Sequence, residues 1–138
     1  MDFQHSERAL HWQDRLKAFM DREVLPRSAQ YWAQVREDHT RQPPVMEEMK
    51  ALARDAGLWN MFLPGDHGAG LTNLEYALCA EEMGRIGFAS EVFNCSAPDT
   101  GNMEVFHRYG TREQKEQYLK PLMNGEIRSA FLMTEPDV

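Results

Sequence analysis

The chain has 138 residues, of which 42% are hydrophobic and 27% are charged, and its formal net charge is −7 at pH 7. These proportions are typical of one globular domain, and a chain of this length buries about two-thirds of its unfolded surface. The acidic balance argues against a nucleic-acid partner, since such proteins cluster Lys and Arg, and no apolar run approaches the roughly 20 residues of a membrane span.

The first predicted helix spans about residues 6–25, and Pro26 closes it. Charged residues along this helix interrupt the apolar core that a signal peptide needs. Residues 31–41 are polar, and we expect them to be partly irregular. The apolar side chains that recur at helical spacing in the first helix are Ala9, Trp12, Leu16, Phe19, Met20 and Leu25.

A second helix is predicted to begin at Pro44, because a proline in the first turn of a helix loses no hydrogen bond. Gly57 is a suitable left-handed stop for this helix. A loop with an apolar start is predicted at residues 58–70. The side chains predicted to face inward from the second helix are Val45, Met49, Leu52, Ala53 and Ala56.

Capping signals predict three more helices. Thr72 and Glu75 form a capping box for the third, and Thr111 and Gln114 form one for the fifth. Ser96 and Asp99 repeat the cap signal for the fourth helix. An ion pair is expected between Glu81 and Arg85, four residues apart. We expect the fourth helix to end at Gly110 and the fifth to be disturbed near Pro121 and to end at Gly125. The side chains predicted to face inward are Leu74, Ala77 and Leu78 in the third helix and Met103, Phe106 and Tyr109 in the fourth.

Helices joined by short loops predict an all-α fold, an antiparallel helical bundle. Only the C-terminal residues leave this pattern. Residues 127–134 alternate as in a β-strand with apolar side chains on both faces, and Pro136 ends the run. A strand without a partner is a poor ending for a domain, so we expect the chain to stop within a functional segment.

Other possible sites have weak support. Gly65, Gly68 and Gly70 lack the Gly-Lys-Ser/Thr of a phosphate-binding loop and are predicted to form plain turns. Cys79 and Cys95 have no CxxC spacing, and we expect free thiols in a reducing compartment. No zinc site is predicted, because the histidines lack ligand spacing; they are His5, His11, His39, His67 and His107.

From about residue 44 to residue 138 the sequence closely resembles the acyl-CoA dehydrogenase family. The Thr134-Glu135-Pro136 turn after a short apolar run resembles the flavin-contacting signature of that family. The order and spacing of several further segments agree, and residues 94–104 resemble most a subgroup associated with long acyl chains. These segments are Glu81-Glu82-Met83-Gly84-Arg85, Ala97-Pro98-Asp99-Thr100-Gly101-Asn102-Met103-Glu104 and Tyr109-Gly110-Thr111, followed by Gln114-Lys115 and Tyr118-Leu119.

The resemblance implies a domain division and two groups of site residues. Residues 1–127 would form the N-terminal α-helical domain, and residues 128–138 would begin a middle β domain. The expected FAD-binding residues are Phe131, Leu132, Met133, Thr134 and Glu135. The expected substrate-binding residues are Asp99, Thr100, Gly101 and Met103, where the family's acyl channel borders the start of the fourth helix. Tight helix packing is the alternative explanation for Gly101.

The implied activity is that of an FAD-dependent enzyme of fatty acid β-oxidation that converts an acyl-CoA thioester into a trans-2-enoyl-CoA. The family's catalytic Glu is expected beyond Val138, so we expect no catalytic residue in this chain, an inactive fragment and no retained FAD. The implied partners are acyl-CoA, electron-transfer flavoprotein and further copies in a tetramer. A bacterial protein would be cytoplasmic, and a eukaryotic one mitochondrial or peroxisomal.

Two further interpretations stay open beside the dehydrogenase. The chain is either part of such a dehydrogenase, or a non-catalytic helical module that needs a partner chain. An acyl-CoA oxidase shares much of the same sequence and passes its electrons to oxygen instead.

Overall fold

The computed structural model describes residues 4–133 and 135–137, apart from the side chain of Asp66. The chain forms two compact units, Met1–Cys95 and Ser96–Val138. The described residues form helices and no strands, which confirms the predicted all-α class. The helices are α1 (Glu7–Phe19, extended by a wide π turn at Met20–Val24), α2 (Ser28–Glu37), α3 (Pro44–Asp55), α4 (Asn73–Met83), α5 (Ala89–Val92), α6 (Asp99–Tyr109) and α7 (Arg112–Gln114, the π turn Lys115–Leu119, and Lys120–Met123).

Helix α1 begins where the sequence predicts, because the Ser6 side chain accepts a hydrogen bond from the backbone N–H of Ala9 at 3.1 Å. The predicted face is largely correct. Leu25 is an exception, with 38% of its surface exposed, and Trp12 is only half-buried. Val24 lies four residues after Met20 and is buried on the same face in place of Leu25.

Helix α2 covers residues 31–37 of the segment 31–41, which was predicted to be partly irregular, and residues 38–41 lie outside any helix. None of its residues is buried, so the hydrophobic pattern gives little sign of it. Contacts with other elements hold it instead. Tyr31 stacks on Phe88 with ring centroids 3.8 Å apart, and Gln34 Oε1 accepts a hydrogen bond from the backbone N–H of Val45 at 3.1 Å.

Helix α3 begins at Pro44 and ends before Gly57, whose φ of 66° is left-handed as predicted. Met46 is buried beside the predicted Val45, Met49 and Ala53, whereas Leu52 and Ala56 are only half-buried. Lys50 is also buried. Its Nζ lies 2.7 Å from Glu91 Oε1 and 3.0 Å from Glu47 Oε1, so two carboxylates compensate its charge.

The turn before α4 needs glycine at position 68. A Cβ there would lie closer than 3.0 Å to the carbonyl oxygens of Leu63 and Asn60. Gly65 and Gly70 have φ values of 70° and 61°, which agrees with the predicted plain turns.

The capping box of α4 is confirmed: the Thr72 side chain accepts from the Glu75 N–H, and the Glu75 side chain accepts from the Thr72 N–H. The predicted buried face is partly wrong, since Leu74 is 76% exposed and Ala77 is exposed as well. The buried stripe starts one turn later, at Leu78, Cys79, Glu82 and Met83.

Arg85 pairs with Glu82 and Asp21, and not with the predicted Glu81. The three-residue spacing to Glu82 also places two side chains on one helix face. Within the unit Met1–Cys95, α1 packs on α4, and α3 packs on both α2 and α5. The short helix α5 was not predicted.

In the unit Ser96–Val138, α6 begins after Pro98 without a side-chain cap, so the predicted Ser96 cap is not formed. Met103 is fully buried and Phe106 stacks on Tyr118, with ring centroids 5.5 Å apart. Tyr109 is 78% exposed, which corrects its predicted inward position. Helix α7 packs on α6.

The predicted capping box of α7 is confirmed, because Thr111 and Gln114 exchange side-chain and backbone hydrogen bonds. The wide turn Lys115–Leu119 ends two residues before Pro121, which has no N–H to donate to an α-helical bond. Gly125 follows the helix with a φ of 69°.

The predicted strand at residues 127–134 is not formed in the part of the chain that the structure describes. Residues 128–133 belong to no helix and no ladder, and a strand is stabilised only by pairing with another strand. Thr134 lies outside the described residues. The boundary between a domain at 1–127 and a β domain at 128–138 stays a prediction. No helix among the described residues is long and apolar enough to cross a membrane.

Candidate functional site

The segment predicted to contact a flavin is open to solvent. Phe131 is 63% exposed, Leu132 97% and Met133 74%, and Glu135 is exposed too. Three consecutive large apolar side chains with this exposure form a surface that is suited to being covered by another apolar group. Thr134, predicted to donate to the flavin edge, lies outside the described residues.

Asp99, in contrast, is only 3% exposed, although the sequence predicts a substrate-binding role for it. Its Oδ1 accepts hydrogen bonds from the backbone N–H of Ser129 at 2.8 Å and from the Ser129 hydroxyl at 2.5 Å. Its Oδ2 accepts from Arg128 Nε at 2.7 Å. Both carboxylate oxygens are therefore engaged by the segment that leads to Phe131.

Asn102 lies one helical turn after Asp99 and reaches the same segment. Its Nδ2 lies 2.8 Å from Ser129 Oγ and 3.5 Å from the carbonyl oxygen of Ala130. We call Asp99, Asn102, Arg128 and Ser129 the clasp. Sequence reasoning did not identify the last three of these residues, since no motif indicates contacts between positions about 30 residues apart.

The predicted substrate-binding residues do not lie on one face of α6. Asp99 and Met103 are buried, Thr100 is half-buried, and Gly101 is exposed. A Cβ added at Gly101 would meet no atom within 4 Å among the described residues. Tight helix packing, the alternative explanation for this glycine, therefore has no support in the described part of the chain.

The two thiols are unsuited to nucleophilic chemistry. Cys79 and Cys95 are free and buried. Burial raises the pKa of each thiol from 9.0 to about 11, so both are neutral near pH 7. The Cys95 thiol donates to the carbonyl oxygen of Phe93 at 3.3 Å. Among the described residues there is also no group of three or more His, Cys, Asp or Glu that could hold a metal ion.

Comparisons with known proteins agree on one family. Residues 6–126 match the family model described as "Acyl-CoA dehydrogenase, N-terminal domain". "Acyl-CoA dehydrogenase family member 11" of Gallus gallus is 52% identical over 129 residues, which cover 90% of this chain and 16% of that protein. "Probable acyl-CoA dehydrogenase FadE2" of Mycobacterium tuberculosis is 50% identical over 143 residues, covering 100% of this chain and 34% of its own length.

A solved structure is similar over almost the whole chain. It is described as the "Structure of a putative acyl-CoA dehydrogenase from Mycobacterium abscessus", and it matches with a TM-score of 0.90 and 50% sequence identity. The match covers 99% of this chain and 36% of that one. The chain thus spans only 16% to 36% of the length of these three relatives.

Proposed function

Because the chain belongs to the acyl-CoA dehydrogenase family, whose N-terminal domain it matches, we propose that the intact protein is an FAD-dependent dehydrogenase of acyl-CoA thioesters. This chain would supply its N-terminal helical domain. In the proposed reaction a carboxylate removes the α-proton of the thioester and the product is a trans-2-enoyl-CoA. The observation that carries this proposal is the match of residues 6–126 to the family's N-terminal domain.

The C-terminal segment fits a role beside the flavin. The exposed side chains of Phe131, Leu132 and Met133 form an apolar surface of the kind that covers an aromatic ring system. Thr134 would add a hydroxyl donor at the flavin edge. Bound FAD would supply the acceptor for the hydride that leaves the β-carbon, and electron-transfer flavoprotein would then receive the electrons.

The start of α6 would border the acyl chain. Gly101 is exposed, and among the described residues an added Cβ would have no neighbour within 4 Å, so this position leaves room for an alkyl chain. Met103 is fully buried and does not share the exposed face of Gly101, so an adaptable apolar wall at Met103 stays a prediction from the family resemblance. A preference for long acyl chains is part of this proposal.

We propose no carboxylate of this chain as the catalytic base. Glu82 pairs with Arg85, Glu91 with Lys50, and Glu104 with Arg108. In the family the catalytic Glu is expected in a later part of the chain, and none of these positions matches it. We therefore propose that the base lies beyond Val138 and that the isolated chain is inactive.

The experiment that tests the proposal uses the intact protein with two electron acceptors. We expect purified protein to contain FAD and to reduce electron-transfer flavoprotein when acyl-CoA is added. Oxygen consumption at the same rate without that acceptor would identify an oxidase instead. Absence of flavin from the intact protein would favour the non-catalytic helical module.

Assembly and location are further parts of the proposal. We expect the intact protein to be a tetramer, which sedimentation or light scattering would test. Relatives occur in a bacterium and in a vertebrate. A bacterial source predicts a cytoplasmic protein, and a eukaryotic source predicts a mitochondrial or peroxisomal one.

A further inference from the structure

We propose that Asp99 is a positioning residue for the flavin-contacting segment, an inference that rests on the function proposed above. Through the clasp, Asp99 would fix Ser129 to the first turn of α6. It would thereby set where residues 131–133 lie relative to residues 99–103, which belong to the two groups assigned to the cofactor and to the acyl chain.

The geometry of the Asp99 carboxylate supports this role. Three donors converge on two oxygens at distances of 2.5, 2.7 and 2.8 Å. The Asp99 side chain is 4% exposed, and Arg128, whose own side chain is 48% exposed, supplies an opposite charge, so the hydrogen bonds to the buried carboxylate are charge-assisted. Asp99 also opens α6, where the helix dipole favours a negative charge.

Ser129 is held from two sides. Its hydroxyl lies 2.5 Å from Asp99 Oδ1 and 2.8 Å from Asn102 Nδ2, so it donates to the first and accepts from the second. The backbone N–H of Ser129 donates to the same carboxylate. One rotamer of Ser129 therefore satisfies both neighbours, and the main chain at this position is fixed as well as the side chain.

The clasp lies close along the chain to the exposed apolar side chains, so it restricts where they can lie. Ser129 lies two residues before Phe131, and an extended chain spans at most about 3.6 Å per residue. Phe131 is therefore within about 7 Å of a fixed point. The contacts of Asn102 with Ser129 and Ala130 tie down the chain immediately before the exposed side chains at 131–133.

A merely structural role for Asp99 makes a different prediction. It would lower the stability of the unit Ser96–Val138 and leave the bound cofactor unaffected. A positioning role changes the rate at which acyl-CoA reduces the flavin, because a displacement of about 1 Å can cost roughly 100-fold in rate. Flavin reduction is thus a readout that separates the two roles.

The experiment compares Asp99→Asn with Glu104→Gln in the intact protein loaded with FAD. Both variants replace an acid by its amide on α6, but in the described part of the chain Glu104 pairs with Arg108 at 3.2 Å, and the two side chains are 41% and 57% exposed. Flavin bleaching by acyl-CoA is followed anaerobically by stopped flow, together with the flavin absorption spectrum and the melting temperature. We expect Asp99→Asn to slow bleaching roughly 10- to 100-fold and to shift the spectrum. Glu104→Gln should stay within about twofold of the parent, the effect expected for an exposed pair.

If Asp99→Asn does not fold, the same measurement of flavin bleaching is made with Ser129→Ala and Asn102→Ala. Ser129→Ala removes the hydroxyl contacts with Asp99 and Asn102, and Asn102→Ala removes the contacts with Ser129 and Ala130. Both variants keep the Asp99 carboxylate and its bond with Arg128, so each should slow bleaching less than Asp99→Asn. Normal bleaching in all folded clasp variants, with a lower melting temperature alone, would overturn the positioning role and leave the proposed function intact. A parent protein that binds FAD but is not bleached by acyl-CoA, or that binds no FAD, would overturn both.

Discussion

Gly101→Leu gives opposite predictions for folding and for activity. The residue lies within α6, is exposed and has no atom within 4 Å of the position that a Cβ would take, so the described part of the chain offers no steric obstacle to a larger side chain. Replacing a glycine in a helix removes a penalty of about 0.5–1 kcal/mol. We therefore expect the melting temperature of the 138-residue chain to rise by about 2–4 °C.

In the intact enzyme the same change should fill space that the acyl chain needs. Discrimination per methylene in an apolar pocket is worth about 1–3 kcal/mol, or roughly 10- to 200-fold. We expect kcat/KM to fall steeply beyond one acyl chain length and to stay near the parent value for short chains. The assay is flavin reduction or acceptor reduction with a series of acyl-CoA thioesters.

Gly101→Ala is the matched control, since it gains the helical preference but adds only one carbon. It should raise stability while preserving activity with most chain lengths. An equal loss of activity at every chain length in Gly101→Leu would refute the channel assignment. A fall in the melting temperature of the 138-residue chain would refute the claim that position 101 is sterically open.

Three further predictions concern the cofactor and the thiols. Thr134→Val in the intact enzyme should leave folding and assembly unchanged but slow flavin reduction or promote flavin loss; a collapse of apo stability with normal reduction would make Thr134 a structural residue. The 138-residue chain alone should be colourless, because a few contacts cannot offset the roughly 4 kcal/mol or more that immobilising a cofactor costs; a stoichiometric yellow protein would contradict this. Burial raises the pKa of Cys79 and Cys95 from 9.0 to about 11, so their contribution to stability is complete below pH 9 and is lost as the pH rises towards 11. Denaturant unfolding of a Cys79→Ala/Cys95→Ala variant should show a weaker loss over that range, and an unchanged loss would contradict the prediction.

Local signals in the sequence predicted the helix boundaries well. The capping boxes at Thr72 and Thr111 and the left-handed Gly57 depend on residues within one turn of each other. Their geometry is therefore fixed by nearby chemistry, whatever the rest of the chain does. The same signals were enough to predict an all-α fold.

Features that depend on distant residues were missed or wrong. Helix α2 has no buried residue and is held by contacts such as the stacking of Tyr31 on Phe88, which no periodicity reveals. The strand expected before Pro136 has no partner among the described residues.

For Asp99 the sequence predicted the position in the candidate site but not the contacts. Its position at the start of a helix beside the acyl channel was an expectation from family resemblance. Its contacts with Arg128 and Ser129 join residues about 30 positions apart. Both carboxylate oxygens of Asp99 form hydrogen bonds in the structure, and these bonds connect two predicted groups of site residues.

The most direct test of the proposed function is an anaerobic titration of the intact, FAD-loaded protein with acyl-CoA. We expect the flavin absorbance to bleach with about one equivalent of acyl-CoA per flavin, and trans-2-enoyl-CoA to appear in the same amount, as a two-electron transfer between them requires. Flavin that remains oxidised in the presence of excess acyl-CoA of every chain length tested would contradict the proposal.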